Sequence, residues 1–199
     1  MLDRIKSIVA DSLDVKRRYF AEHAEQVLSA GLMIADSFRA GGKLLLFGNG
    51  GSAADAQHIA GEFVNRFSVE DRRALPAFAL STDGGVLTCI ANDTGFEKVF
   101  ARQVEAFGAR GDVCLAISTS GNSPNVLAAI EEARARGIKI IGLLGRDGGA
   151  CAPLCDLALV VASHDTQRIQ ETHNLVGHII CELVESALFG DGEHHEKEL

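Results

Sequence analysis

Val113-Cys114-Leu115-Ala116-Ile117-Ser118-Thr119-Ser120-Gly121-Asn122-Ser123-Pro124 is the stretch whose reading decides the fold. Its first five residues are an unbroken apolar run, the pattern of a strand buried on both faces of a sheet. Ser118 to Ser123 then set four hydroxyls, one amide and one glycine in six positions. Pro124 suits the first position of a helix, where a missing N–H costs nothing. A buried strand that passes through a hydroxyl-rich loop into a helix N-terminus is a cradle for an anion. Backbone N–H groups and the positive end of the helix dipole face one spot, and the hydroxyls add donors. An ordinary helix cap needs one Ser or Asn, not four hydroxyls. Phosphate is the expected occupant.

The same unit recurs on either side. Lys43–Phe47 reads as a buried strand, Gly48-Asn49-Gly50-Gly51-Ser52 as a small-residue loop, and Ala53 to about Phe67 as a helix. Pro76–Leu80, Ile138–Leu144 and Leu157–Val161 complete five strands. Helices are expected over Val86–Ala91, closed by Asn92-Asp93, and over Phe96–Phe107, Pro124–Arg136 and Asp165–Phe189. Residues 2–40 read as two long helices with a break near Ala21–His23, more helix than one small sheet needs, and are expected to cover a partner subunit. Strands alternating with helices predict an α/β three-layer sandwich around a five-stranded parallel sheet. In such sheets ligands bind at the carboxyl ends of the strands, where both loops lie. One domain is expected over 1–190, with 1–40 as its N-terminal helical region and 191–199 as a polar, frayed tail.

The 199 residues suffice for one sizeable core. A net charge of −8 without a basic run argues against nucleic acid as a general partner, so a phosphorylated ligand would be held by local geometry. Cys89, Cys114, Cys151, Cys155 and Cys181 are odd in number, and three lie in apolar contexts, which reads as reduced thiols in a cytoplasmic protein. Met1 to Lys6 carries no apolar leader, and the longest apolar runs are strand-sized, so no membrane span is expected.

Two pairs of residues could do chemistry. His58 and Glu62 are spaced i,i+4, on one face of a helix and one turn apart. Imidazole and carboxylate so placed can share a divalent metal or act in acid–base catalysis; a solvated ion pair has the same spacing. Gln170 and His178 lie eight apart on the last helix, two turns along one face. On a largely apolar helix both need partners, and a histidine bonded to a backbone carbonyl is the plain alternative. His173 is assigned to that role or to the surface.

Taken in order, Gly48-Asn49-Gly50-Gly51-Ser52, Asp55-Ala56-Gln57-His58 with Glu62, Ala91-Asn92-Asp93, Ile117 to Ser123, and Ile169-Gln170-Glu171 with His178 carry a resemblance. The chain resembles the bacterial sedoheptulose 7-phosphate isomerase (phosphoheptose isomerase) family, single sugar isomerase (SIS) domains with a flavodoxin-like sheet. The resemblance runs to about Gly190. The serine loop alone indicates only a SIS-type phosphosugar domain; the two helical pairs are more specific. The resemblance implies interconversion of sedoheptulose 7-phosphate and D-glycero-D-manno-heptose 7-phosphate through an enediol, the first step in supplying ADP-heptose for the lipopolysaccharide core. It implies that Ser118, Thr119, Ser120 and Ser123, with Ser52, hold the phosphate. Asn49, Gly50, Gly51, Asn92 and Asp93 would line the sugar together with Glu62 and Gln170. His58, Glu62, Gln170 and His178 would bind one zinc ion per subunit. Glu62 would be the base and His178 the acid, in a homotetramer with sites at subunit interfaces. One departure shows: some members carry an aspartate where this chain has Gln167, with Asp165 two residues earlier, which leaves contacts around Thr166–Arg168 open. Arg66 is expected either to reach substrate or to pair with an acid. The rival readings are a non-catalytic regulator of the same fold that binds the bacterial replication initiator protein, and an isomerase of another phosphosugar. A pure scaffold has no need of Glu62 and His178.

Overall fold

The computed structural model describes residues 1–190. In chain order the elements are α1 (Leu2–Arg39), β1 (Leu44–Gly48), α2 (Gly51–Val64), β2 (Ala77–Ala79), α3 (Gly84–Thr94), α4 (Ala101–Phe107), β3 (Val113–Ser118), α5 (Pro124–Ala135), β4 (Lys139–Gly145), β5 (Leu157–Val161) and α6 (Thr166–Phe189). The five strands form one parallel sheet in the order β2-β1-β3-β4-β5. The tail expected over 191–199 lies outside the described residues.

Alternate residues of the strands feed two cores, as the period of two requires. Leu44, Leu46, Val113, Leu115 and Ile117 pack with Ile59 and Phe63 of α2 and with α1 and α6. Leu45, Phe47, Cys114 and Ala116 face the other way, against Val104 of α4 and Val126, Ala129 and Ile130 of α5. Each large side chain so buried stabilises the fold by ~1.5–3 kcal/mol. Gly48 of β1 pairs with Ile117 of β3, so the two strands end side by side. The helices that follow them cover opposite faces. Their connecting loops therefore diverge and leave a crevice, the expected ligand position in this strand order.

Three expectations need correction. The N-terminal region is one helix of 38 residues, not two. Ala21-Glu22-His23-Ala24-Glu25 interrupts the apolar stripe, but these residues sustain a helix and none breaks one. The third helix is longer than Val86–Ala91 and contains Asn92 and Asp93 in its last turn; it stops at Gly95, whose φ is 98°. Phe96–Phe107 is divided into a 3-10 turn at Phe96–Lys98 and α4, and this turn buries the adjacent Val99 and Phe100 together. Among the described residues no helix is long and apolar enough to cross a membrane.

Candidate functional site

At the end of β3 the chain turns so that its hydroxyls meet. The buried Ser118 Oγ lies 3.1 Å from Ser123 Oγ and 3.5 Å from Ser120 Oγ, and it accepts the Gly121 N–H at 3.1 Å. Gly121 has φ 65°, and a Cβ there would overlap the Gly148 carbonyl. Ser123 is the N-cap of α5 with Pro124 directly after it, yet its side chain makes no capping bond. The N–H groups of the first turn of α5 are thus left to an outside acceptor. This separates the loop from an ordinary cap and suits an anion.

The loop after β1 is tied to the first. Asn49 Nδ2 donates to Asn125 Oδ1 at 2.8 Å, and Asn125 Nδ2 returns a bond of 2.8 Å to Asn49 Oδ1. Gly50 has φ 55° and opens α2, again without a side-chain cap. Ser52 is buried in the first turn of α2. A Cβ on Gly51 would overlap the Gln170 amide nitrogen, so α6 reaches this loop through Gln170.

Farther along, α2 and α6 bring the candidate catalytic groups together. His58 Nε2 lies 3.2 Å from Glu62 Oε1 and 2.9 Å from His178 Nε2. One ligand atom from each of the three falls within 4.8 Å of the others. Two imidazole nitrogens and a carboxylate oxygen aimed at one point fit a divalent metal such as zinc. Gly177 allows the close approach: a Cβ there would stand 2.7 Å from Ile59 Cδ1. The Phe67 ring lies 5.6 Å from the His178 ring. One turn nearer the loops, Asp55 of α2 bonds to the side chain of Asn174 on α6. Burial raises its carboxyl above the usual carboxylate range, opposed by that bond and by His58, and its Oδ2 lacks a protein partner.

The other named residues separate. Thr119 is half-buried in the serine loop. Asn92 and Asp93 are exposed on α3, where Asn92 Nδ2 donates to Asp93 Oδ1 at 2.9 Å, and no residue of that helix is buried. Arg66 pairs with Glu70 at 2.7 Å on the surface. Asp165 is the N-cap of α6 and accepts the Gln167 and Arg168 N–H groups at 2.9 and 3.4 Å. Asn125, Arg72 and Glu185 were not singled out by sequence. A buried asparagine two residues past the loop was readable from helix spacing, whereas a buried pair 113 residues apart leaves no local signal.

His173 is buried, with Nε2 3.0 Å from the Leu144 carbonyl. Burial pushes its imidazole down from 6.5 to about 4, and the Leu144 bond opposes only part of that. The native state therefore takes up the proton less readily than the unfolded chain. The resulting stability is full above pH 6.5 and is lost as pH falls toward 4, by about 3 kcal/mol. The thermal midpoint is expected to drop across this window in the wild type and less steeply in His173→Gln. Equal slopes in thermal melts would remove His173 as the cause.

The SIS domain profile matches residues 9–145. The phosphoheptose isomerase of Pelobacter propionicus is 62% identical over 156 residues, covering 78% of this chain and 82% of that protein. The phosphoheptose isomerase of Geobacter sp. is 52% identical over 96% of this chain and 100% of its own length. The solved phosphoheptose isomerase of Neisseria gonorrhoeae is 41% identical, with a TM-score of 0.88 over 93% of this chain and 98% of its own.

Proposed function

The chain belongs to the phosphoheptose isomerase family of SIS-domain proteins, and from that premise we propose how its residues carry the reaction. It is a phosphosugar isomerase that interconverts sedoheptulose 7-phosphate and D-glycero-D-manno-heptose 7-phosphate. The observation that carries the residue assignment is the meeting of Glu62, from α2, with His178, from α6.

Ser118, Thr119, Ser120 and Ser123, with Ser52, hold the phosphate against the N-terminal turns of α5 and α2. Asn49, Gly50, Gly51 and Gln170 border the sugar, with Asn92 and Asp93 at its outer side. Fixing the phosphate end supplies binding energy remote from the reacting carbons and sets their position. An aldose–ketose exchange moves a proton between neighbouring carbons through an enediol. Glu62 takes the proton from one carbon and returns it to the other. His178 gives and recovers the proton on the oxygen side. His58, Glu62 and His178, whose ligand atoms converge, would with Gln170 of the same α6 helix as His178 hold one zinc ion per subunit, which when bound supplies Lewis-acid polarisation of the carbonyl.

The protein acts as a homotetramer of one SIS domain per chain. Leu2, Ile5, Val9 and Leu13 form an exposed apolar row on α1, and α3 packs no residue fully within its own chain. A partner covering α3 would bring Asn92 and Asp93 into a shared site. Five free cysteines suit a cytoplasmic location.

Purified protein incubated with sedoheptulose 7-phosphate is expected to form the aldose. A chelator is expected to lower turnover at least ~10-fold, with zinc restoring it. Zinc content near one per subunit should be lost in His58→Ala. Absence of the aldose would overturn the reaction, and sugar-phosphate binding without turnover would favour the regulator instead.

A further inference from the structure

Arg72 and Glu185 form a buried ion pair at the far end of the α2–α6 contact, with side chains 0% and 2% exposed and Nε 2.5 Å from Oε1. We propose that this pair is the clamp that positions Glu62 and His178 relative to one another. The proposal rests on the reading of those two residues as the acid–base pair.

Each partner grips one side of the site. The Arg72 guanidinium donates to the carbonyl of Glu62 at 2.5 Å, to that of Phe63 at 2.9 Å and to that of Arg73 at 3.0 Å. Glu62 and Phe63 lie in the last turn of α2, where carbonyls lack helical partners and a cation is favoured. Arg72 therefore holds the peptide unit of the residue whose carboxylate faces His58. Glu185 lies seven residues beyond His178, two turns along the same face of α6. Its carboxylate accepts the N–H groups of Phe67, Ser68 and Val69 at 2.9, 2.7 and 2.9 Å. That nest fixes Phe67, whose ring lies against His178. The pair thus reaches Glu62 through its carbonyl and His178 through Phe67 and the shared helix.

Stability alone does not account for this choice of residues. A buried ion pair is often no better than a well-packed apolar pair of the same volume. Its directional bonds do what apolar packing does not, which is to fix a helix end and a loop at set distances. Burial alone would raise the Glu185 carboxyl, but Arg72 and the three backbone N–H groups bring it below the usual range, so the anion is held ionised. An error of about 1 Å in a catalytic group can cost roughly a hundredfold in rate.

The test compares wild type with Glu185→Gln, Arg72→Lys and Phe67→Leu. Glu185→Gln keeps one oxygen for the loop N–H groups but turns an N–H toward Arg72. Arg72→Lys keeps the charge but lacks the fork that spans three carbonyls and a carboxylate. Phe67→Leu removes the ring contact with His178 while keeping an apolar side chain at the edge of the core, and guards against failure of the buried variants to fold. kcat and KM for aldose formation are measured with thermal melts and with zinc affinity, read by competition with a chromophoric chelator. In the two clamp variants kcat is expected to fall ~30- to 100-fold with KM within about threefold, because the serine cradle is untouched. In Phe67→Leu kcat is expected to fall at least ~3-fold with KM unchanged, and zinc affinity should drop ~10-fold in the clamp variants. Folded variants with kcat within threefold of wild type, or losses that only follow the unfolded fraction, would overturn the clamp. If the wild type itself forms no aldose, the proposed reaction fails, and the zinc arm still decides the clamp: equal affinities sink it.

Discussion

Glu62→Gln is expected to lower kcat by ~10²–10⁴-fold while sedoheptulose 7-phosphate binds within about threefold of wild type. The amide is nearly isosteric with the carboxylate, so α2 and its contacts should persist. What is lost is the capacity to accept and return a proton. The serine loop proposed for the phosphate runs from β3 to α5, whereas Glu62 stands on α2, so the phosphate end of the substrate is expected to keep its donors. Steady-state turnover and calorimetric titration separate the two quantities. Unchanged turnover would remove Glu62 as the base. A parallel loss of affinity would make it a binding residue first.

Gly121→Ala is expected to act in the opposite way, raising KM at least ~10-fold with a smaller effect on kcat at saturation. Left-handed backbone at φ 65° costs a residue with a side chain ~1–2 kcal/mol. The larger effect is steric, because the added Cβ meets the Gly148 backbone, which cannot rotate away as a side chain could. Gly121 also accepts the Cys151 N–H at 3.0 Å and donates to Ser118 Oγ. Moving it disturbs the hydroxyl cluster and the start of α5 together. Substrate titrations with the variant check this, and Ser120→Leu should weaken phosphosugar binding in the same sense. A KM equal to that of wild type would place the phosphate elsewhere.

The sheet was readable because its strands are buried on both faces and so appear as bare apolar runs between glycine- and serine-rich turns. Val113–Ile117, buried at every position, is the plainest case, and the edge strand Leu157–Val161 is equally apolar although only half-buried at three of its five residues. The serine loop was readable for the same reason: hydroxyls crowded between a strand and Pro124 have few structural uses. The continuity of α1 was hidden, since polarity near His23 looks the same whether the helix stops or only emerges into solvent. His58 and Glu62 announce themselves by spacing, but their meeting with His178 depends on the packing of α2 against α6, which no local pattern encodes. Arg72 and Glu185 are hidden for a further reason. Their residue types are ordinarily exposed, and only the fold removes them from water.

The paired amides of Asn49 and Asn125 bear on the thermodynamics of capture. Their two bonds are made wholly within the protein and join the loop that follows β1 to the helix that follows β3. The rim of the crevice is therefore cross-braced before any sugar arrives. A floppy rim would lose conformational entropy on binding, and that loss would weaken affinity. Here much of that ordering is completed during folding. Association can then proceed as docking into a stiff frame, with small changes of backbone shape between the free and occupied enzyme.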